Sequence, residues 1–133
     1  MPLEEIINRQ GIIISAPASG AGKTTVTLGL INAFARKRSV QPFKSGPDYI
    51  DSKFQSFAAD CPSYNLDTWA MSSSDILNMI GMVGPSDLCI AEGSMGLFDG
   101  VISKGASGNG STADLASITN WPVILVVDCA KQA

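Results

Sequence analysis

The chain has 133 residues, of which 45% are hydrophobic and 16% charged, as is typical of one folded domain and not of a disordered segment. Nine basic and twelve acidic residues give a net charge of −3, which disfavours a general nucleic-acid binder. The absence of histidine excludes Ser-His and Cys-His catalytic pairs and every histidine-ligated metal site.

The cellular location is predicted from the apolar runs and the cysteines. No apolar run has the length that spans a membrane, and the N-terminus lacks the apolar stretch of a signal peptide. The cysteine count is odd, and Cys89 and Cys129 lie in apolar runs, so we expect Cys61, Cys89 and Cys129 to be reduced and buried. We therefore expect a cytoplasmic protein without a membrane partner.

The chain begins with a predicted strand, a glycine-rich loop and a helix. The strand covers 11–16 and contains three isoleucines, and the helix covers 23–38 with apolar residues at helical spacing. The first N–H groups of a helix have no intrahelical partner, and the helix dipole favours an anion beside them. The predicted phosphate-binding residues are Ser19, Gly20, Ala21, Gly22, Lys23, Thr24 and Thr25. In such a loop the lysine reaches the β- and γ-phosphates and the threonine after it ligates Mg²⁺.

This loop departs from the general phosphate-loop consensus at one position. Pro17 stands five residues before Gly22, where the consensus has glycine. The alternative interpretation is a Gly/Ser turn that only joins strand to helix. The intact segment from Gly22 to Thr25, placed between a strand and a helix, favours phosphate binding.

The remaining elements alternate between strands and helices. Strands are predicted at 40–44, 88–91 and 122–127, the last of them buried, and helices at 53–59, 75–82 and 112–119. Pro42 suggests a sheet edge or a strand start, and the serines at 72–74 suggest a helix cap. The alternation predicts an α/β fold of the P-loop NTPase type, a mainly parallel sheet with helices on both faces.

The C-terminal end and the long loop each suggest a further property. The first suggests a larger protein, and the second suggests a functional segment. The chain stops soon after its last core strand, so we expect the sheet to be incomplete at the C-terminus. We interpret residues 1–133 as the N-terminal part of an ATP-binding domain. The segment 92–111 contains six glycines, and loops of this length are usually functional or mobile.

Charged residues follow the predicted strands, where parallel sheets bind their ligands. Thr24, Glu92 and one of Asp48 or Asp51 would suit Mg²⁺, which prefers oxygen ligands. The alternatives for these carboxylates, and for Asp128 after the last strand, are helix caps, turns or solvated charges.

Two more residues near the same strand end are candidates for substrate binding. Lys44 could neutralise a phosphate or a substrate carboxylate, or be an ordinary surface lysine. Tyr49 could contact the substrate or be a packed aromatic residue, whereas packing is favoured for Trp69 and Trp121.

Several segments, in order over nearly the whole chain, resemble the cobyrinate and hydrogenobyrinate a,c-diamide synthases. The segments that carry the resemblance are Ala16–Thr27, Lys44–Asp51, Asn65–Met71, Glu92–Gly100, Gly110–Ala116 and the strand 122–128. Pro17 is normal in that family. The resemblance implies a carbon–nitrogen ligase of cobalamin biosynthesis, with ATP and Mg²⁺ as cofactors and glutamine or ammonia as nitrogen donor.

The resemblance also implies roles for individual residues. Lys23, Lys44, Asp48 and Glu92 would act in catalysis, and the segment 19–25 would bind the triphosphate. The metal would be held by Thr24, Asp48, Asp51 and Glu92, with the choice between the two aspartates left open. The corrinoid carboxylate would lie near Lys44, Asp48, Tyr49 and Asp51.

The sequence departs from the family in two respects. Gln55 stands where the family often has histidine. The family also has a C-terminal glutaminase domain with a cysteine nucleophile, and no cysteine here matches it, so we expect this chain alone not to hydrolyse glutamine. A homodimer is left open.

Other functions remain as alternatives. A cobyric acid synthase or a dethiobiotin-synthetase-like enzyme shares the expected fold, but the segment Pro47–Asp51 argues against both. Partitioning-type switch ATPases carry an additional lysine early in the loop, where this chain has Pro17 and Ala18. The last alternative is a nucleotide-binding remnant without enzymatic activity.

Overall fold

The computed structural model describes residues 9–132, which build a five-stranded parallel sheet. The strands are β1 (Gly11–Ser15), β2 (Val40–Ser45), β3 (Tyr64–Leu66), β4 (Leu88–Glu92) and β5 (Val123–Leu125). They lie in the order β3-β2-β4-β1-β5, and every neighbouring pair is parallel. All the strands therefore end at the same edge of the sheet, where the loops after β1, β2 and β4 meet.

Within the described residues, four helices cover the two faces of this sheet. They are α1 (Lys23–Ala35), α2 (Ile50–Ala59), α3 (Ser73–Met82) and α4 (Thr112–Thr119). Because side chains alternate along a strand, Ile13 packs in a core with residues of α3 and α4, and Ile14 in a core with residues of α1 and α2. The predicted α/β architecture is confirmed. Within residues 9–132, no helix is long and apolar enough to cross a bilayer.

Hydrogen bonds set the helix ends. Helix α1 stops at Ala35, three residues short of the predicted end. Helix α2 starts at Ile50, three residues earlier than predicted, because Oδ1 of Asp48 accepts hydrogen bonds from the N–H groups of Ile50 and Asp51. The predicted serine cap of α3 is confirmed, since Ser72 and Asp75 form a reciprocal capping box.

The expectation that β2 is an edge strand because of Pro42 is wrong. Strand β2 lies between β3 and β4. Pairing with β3 begins only at Phe43, so at Pro42 the strand has β4 as its one neighbour. The missing N–H of the proline therefore costs no bond to β3. Strand β3 itself was not predicted.

The strand expected at 122–127 is present but shorter, and the expectation that it is buried is wrong. Strand β5 covers only Val123–Leu125 and forms an edge of the sheet, with Leu125 46% exposed. Cys129 beyond it is exposed and Cys61 only half-buried, whereas Cys89 is buried as predicted. All three thiols are free. Burial raises the pKa of the Cys89 thiol, which suits an unreactive core cysteine.

Trp121 fills the end of the core beside β1. Its ring lies against Phe43, with 6.2 Å between the ring centroids, and its indole N–H donates to the carbonyl of Arg9 over 2.8 Å. Gly11 passes so close that an added Cβ would come within 2.3 Å of the indole ring. Trp121 thus packs in the core, and Trp69, 47% exposed, lies at the surface, so both positions agree with the expected core or surface packing.

Candidate functional site

A cleft of about 720 Å³ lies at the carboxyl ends of β1, β2 and β4. It is formed by the glycine-rich loop, the segment after β2 and the segment after β4. Every predicted site residue except Ala21 lines it: Ser19, Gly20, Gly22, Lys23, Thr24, Thr25, Lys44, Asp48, Tyr49, Asp51 and Glu92. Asp128 lies outside the cleft, where its Oδ1 accepts a hydrogen bond from the N–H of Ala130.

The glycine-rich loop has the geometry of an anion site. Gly20 and Gly22 have φ angles of 83° and 89°, in the left-handed region that favours glycine. No atom lies within 4 Å of an added Cβ at either glycine, so their backbone conformation, and not lack of space, requires glycine. Gly22 is the N-cap residue before α1 and offers no side-chain cap, which leaves the first N–H groups of the helix for a ligand beside the helix dipole.

Lys23 and Thr24 extend from the first turn of α1 toward the segment after β4. The ammonium of Lys23 donates a hydrogen bond to the carbonyl of Met95 over 3.0 Å. Burial, with the nearby cation of Lys44, lowers the pKa of Lys23. The hydroxyl of Thr24 donates to Oε1 of Glu92 over 2.7 Å. An incoming phosphate would meet a cation that is already partly desolvated.

Lys44 is buried at the centre of a cluster of carboxylates. Its side chain is 4% exposed, and its Nζ lies 3.1 Å from Asp51 Oδ2, 3.5 Å from Glu92 Oε1 and 3.9 Å from Asp48 Oδ2. It also donates to the carbonyl of Gly93. The alternative of an ordinary surface lysine is therefore wrong, because a buried cation requires such partners.

The predicted metal ligands fall into two groups. Thr24 and Glu92 are hydrogen-bonded to each other, whereas Asp48 and Asp51 face Lys44. In the described part of the chain, no three Cys, Asp or Glu residues form a group that could hold a metal ion. Mg²⁺ in phosphate sites uses one or two carboxylates, with waters and phosphate oxygens completing its shell. The oxygens of Thr24 and Glu92 fit that smaller requirement.

The segment after β2 presents Asp48 and Tyr49 to the cleft. Burial alone would raise the pKa of Asp48, but the N–H groups of Ile50 and Asp51 and the ammonium of Lys44 hold this pKa below its usual range. Asp48 is thus both the helix cap and a site residue. Tyr49 is 71% exposed, so the alternative of a packed aromatic residue is wrong.

Residues 12–121 match the family model of the CobQ/CobB/MinD/ParA nucleotide binding domain. The chain belongs to this family. The match begins within β1 and extends to Trp121, so it includes every residue of the cleft described above. Membership identifies the cleft as that of a nucleotide-binding domain.

Three curated relatives of this CobQ/CobB/MinD/ParA domain share one name. The hydrogenobyrinate a,c-diamide synthase of Rhodobacter capsulatus is 50% identical over 124 residues, which cover 92% of this chain. The synthases of Brucella anthropi and Rhizobium meliloti are each 48% identical, over 93% and 91% of this chain. The chain spans 28% of the length of each of these relatives.

Sequence reasoning missed two residues that support the nucleotide-binding domain's cleft. The amide of Asn65 in β3 donates to the carbonyls of Gly46 and Asp48, over 2.8 and 2.7 Å, and so fixes the loop after β2. Gln55 in α2 is fully buried and donates to Oε2 of Glu92 over 2.9 Å. Of these two residues, only Gln55 was singled out in the sequence, because it stands where the family often has histidine.

The glycine-rich segment 93–110 is bound to the rest of this family domain by backbone hydrogen bonds. The N–H of Leu97 donates to the carbonyl of Ala16 over 2.8 Å, which ties the segment to the phosphate loop. The N–H groups of Ala106 and Ser107 donate to the carbonyls of Trp69 and Thr68. These bonds hold the residues after β4 at the cleft.

Proposed function

We propose that this chain is the ATP-binding part of an enzyme that amidates the a- and c-carboxylates of cobyrinate or hydrogenobyrinate in cobalamin biosynthesis. The observation that carries the proposal is the position of the Lys44 cluster beside the phosphate loop in one cleft. The names of the relatives, which are about 50% identical over most of the chain, support this substrate.

The proposed chemistry has two steps. A substrate carboxylate oxygen attacks the γ-phosphorus of ATP, so that an acyl phosphate forms and ADP leaves. Ammonia then attacks the acyl carbon. The bond between this carbon and the phosphate oxygen breaks, phosphate leaves with the electron pair, and loss of a proton gives the amide. Glutamine would supply the ammonia through a glutaminase unit outside this chain.

The residues of the cleft would divide this work between them. The first N–H groups of α1 and the ammonium of Lys23 would bind the phosphates and stabilise their charge. Thr24 and Glu92 would hold Mg²⁺, which supplies further charge neutralisation when bound. Lys44 would attract the substrate carboxylate, and its buried position would keep it in place for the transfer.

The remaining parts of the proposal concern the substrate side and the whole protein. Asp48, Tyr49 and Asp51 would contact the corrinoid, since all three line the cleft beside Lys44. We propose a cytoplasmic enzyme, and we include a homodimer because the apolar side chains of α2 next to the cleft are exposed, with Phe57 91% exposed.

The test of the nucleotide site is the variant Lys23→Ala. We expect the wild-type chain to bind a non-hydrolysable ATP analogue with Mg²⁺ in calorimetry, and Lys23→Ala to lose this binding because the phosphates lose their cation. The matched control is Lys37→Ala, which removes an exposed lysine just after α1 and should change nothing. Equal affinity of Lys23→Ala and wild type would refute the phosphate site.

A further inference from the structure

A chain of hydrogen bonds lies behind the cleft and reaches the phosphate loop from α2. The hydroxyl of Ser63 donates to Oε1 of Gln55 over 2.8 Å, and Nε2 of Gln55 donates to Oε2 of Glu92 over 2.9 Å. Glu92 in turn accepts from Thr24 through its other oxygen, over 2.7 Å. Gln55 and Glu92 are both fully buried, so water does not replace these bonds.

The two oxygens of Glu92 are held from opposite sides. Oε1 faces Thr24 and Lys44, and Oε2 faces Gln55. Rotation of the carboxylate would break a hydrogen bond that a buried anion cannot recover from solvent. Without Gln55, Oε2 would lose the donor that fixes the plane of the carboxylate.

The Gln55 amide presents its NH₂ group to Glu92, because a carboxylate only accepts hydrogen bonds. The hydroxyl of Ser63 supports this orientation by donating to the amide oxygen at the other end. The reversed amide would place a carbonyl oxygen against the anionic oxygen of Glu92, which is repulsive. A glutamine also donates without bringing a charge of its own to the site.

We propose that Gln55, oriented by Ser63, is a positioning residue that holds the Glu92 carboxylate for a divalent cation shared with Thr24. The inference rests on the proposed function, because it assigns Gln55 a role at the same nucleotide site. Groups that orient a metal ligand typically change metal affinity about 10- to 100-fold when they are removed.

The test is the Mg²⁺ dependence of nucleotide binding to this chain, measured by calorimetry with a non-hydrolysable ATP analogue. We expect Gln55→Leu to need about 10- to 100-fold more Mg²⁺ for half-maximal enhancement of binding. Its affinity for the analogue without Mg²⁺ should match the wild type, since the phosphate loop is intact. Gln55→His, which keeps an N–H donor, should restore most of the Mg²⁺ response.

The matched control is Gln41→Leu. Gln41 is also a buried glutamine, but its amide donates to the carbonyls of Pro42 and Pro62, outside the cleft. A general loss of packing would affect both variants alike, so a Mg²⁺ shift confined to Gln55→Leu supports positioning. A shift of the same size in Gln41→Leu, or no shift in Gln55→Leu, would overturn the inference.

A second variant covers the case in which Gln55→Leu does not fold. Ser63→Ala removes the hydroxyl of a half-buried residue and leaves the amide in place, so a smaller shift in the same direction is expected. An unchanged Mg²⁺ response would count against the inference. If the wild-type chain binds no Mg-nucleotide, the proposed function fails and the inference with it. If it binds and the Gln55 and Ser63 variants behave like wild type, the inference alone fails.

Discussion

At the scale of single residues, Lys44 gives the cleft its electrostatic character. The side chain of Glu92 has no solvent exposure, so the ammonium of Lys44 at 3.5 Å is the charge that balances it inside the protein. Lys44→Ala should therefore lower the free energy of unfolding by about 3 kcal/mol, as expected when one partner of a buried ion pair is removed. Urea unfolding followed by circular dichroism measures this change.

The control for this variant is Lys53→Ala on α2, where the side chain is exposed. Its effect on the free energy of unfolding should stay within about 0.5 kcal/mol. Equal free energies of unfolding for Lys44→Ala and Lys53→Ala would contradict this prediction. The ammonium of Lys44 would then contribute no more to stability than that of an exposed lysine.

The residues that follow strands directly could be predicted from the sequence, and the supporting residues could not. Lys44 and Glu92 lie at the carboxyl ends of strands of a parallel sheet, which predicts the edge on which they lie. Their contact also requires that β2 and β4 be neighbours, and Asp128, which follows the last strand, lies outside the cleft. Gln55 lies within a helix, and its contact with Glu92 depends on how α2 packs against the sheet. No local pattern in the sequence contains that information.

At the scale of elements, long apolar patterns in the sequence predicted which helices and strands exist. The short strand β3 was not predicted, and the burial of the edge strand β5 was predicted wrongly. Strand β3 is three residues long, with one buried apolar side chain, which is too little for a periodic pattern. Strand β5 has the composition of a buried strand, yet it lies at an edge. The composition of a strand shows that its side chains are apolar enough to be buried. It does not show whether another strand or a helix covers them.

The contact between β1 and Trp121 gives a prediction for stability. Gly11→Ala would place a methyl group within 2.3 Å of the indole ring, so the ring, which packs against Phe43, must shift. Such overpacking should lower the free energy of unfolding by about 1–3 kcal/mol, measured by thermal or urea unfolding.

Gly29→Ala is the opposite case and serves as the control. Gly29 lies within α1, and no atom is within 4 Å of an added Cβ. Alanine should raise the free energy of unfolding by roughly 0.5–1 kcal/mol, because glycine is a poor helix former. If Gly11→Ala were as stable as wild type, the close approach of Trp121 would not exist in solution.

At the scale of the whole molecule, two of the exposed apolar surfaces within residues 9–132 bear on association. One is the α2 face, with Tyr49, Ile50, Phe54 and Phe57, and the other is the β5 edge around Leu125. Exposed apolar patches and unpaired edge strands favour association. We expect this chain to associate with increasing concentration, as measured by sedimentation velocity.

Substitution of one apolar residue by lysine on each surface should show which surface mediates association. Phe57→Lys would weaken association through the α2 face and Leu125→Lys would weaken association through the β5 edge. The effect on folding should be small for Phe57, which is 91% exposed, and larger for Leu125, which is 46% exposed. A wild-type chain that stays monomeric over the whole concentration range would contradict this prediction.

The strand order also has a consequence for the time at which the cleft can form. Strand β1 is synthesised first, yet its neighbours are β4 and β5, and Ile13 pairs with Ala91 and Val123 far along the chain. Such distant pairings fold slowly, because a long loop must close before any contact compensates for its lost entropy. On the ribosome, the strand that leads into the phosphate loop must therefore remain unpaired until β4 (Leu88–Glu92), its first neighbour in the chain order, has emerged.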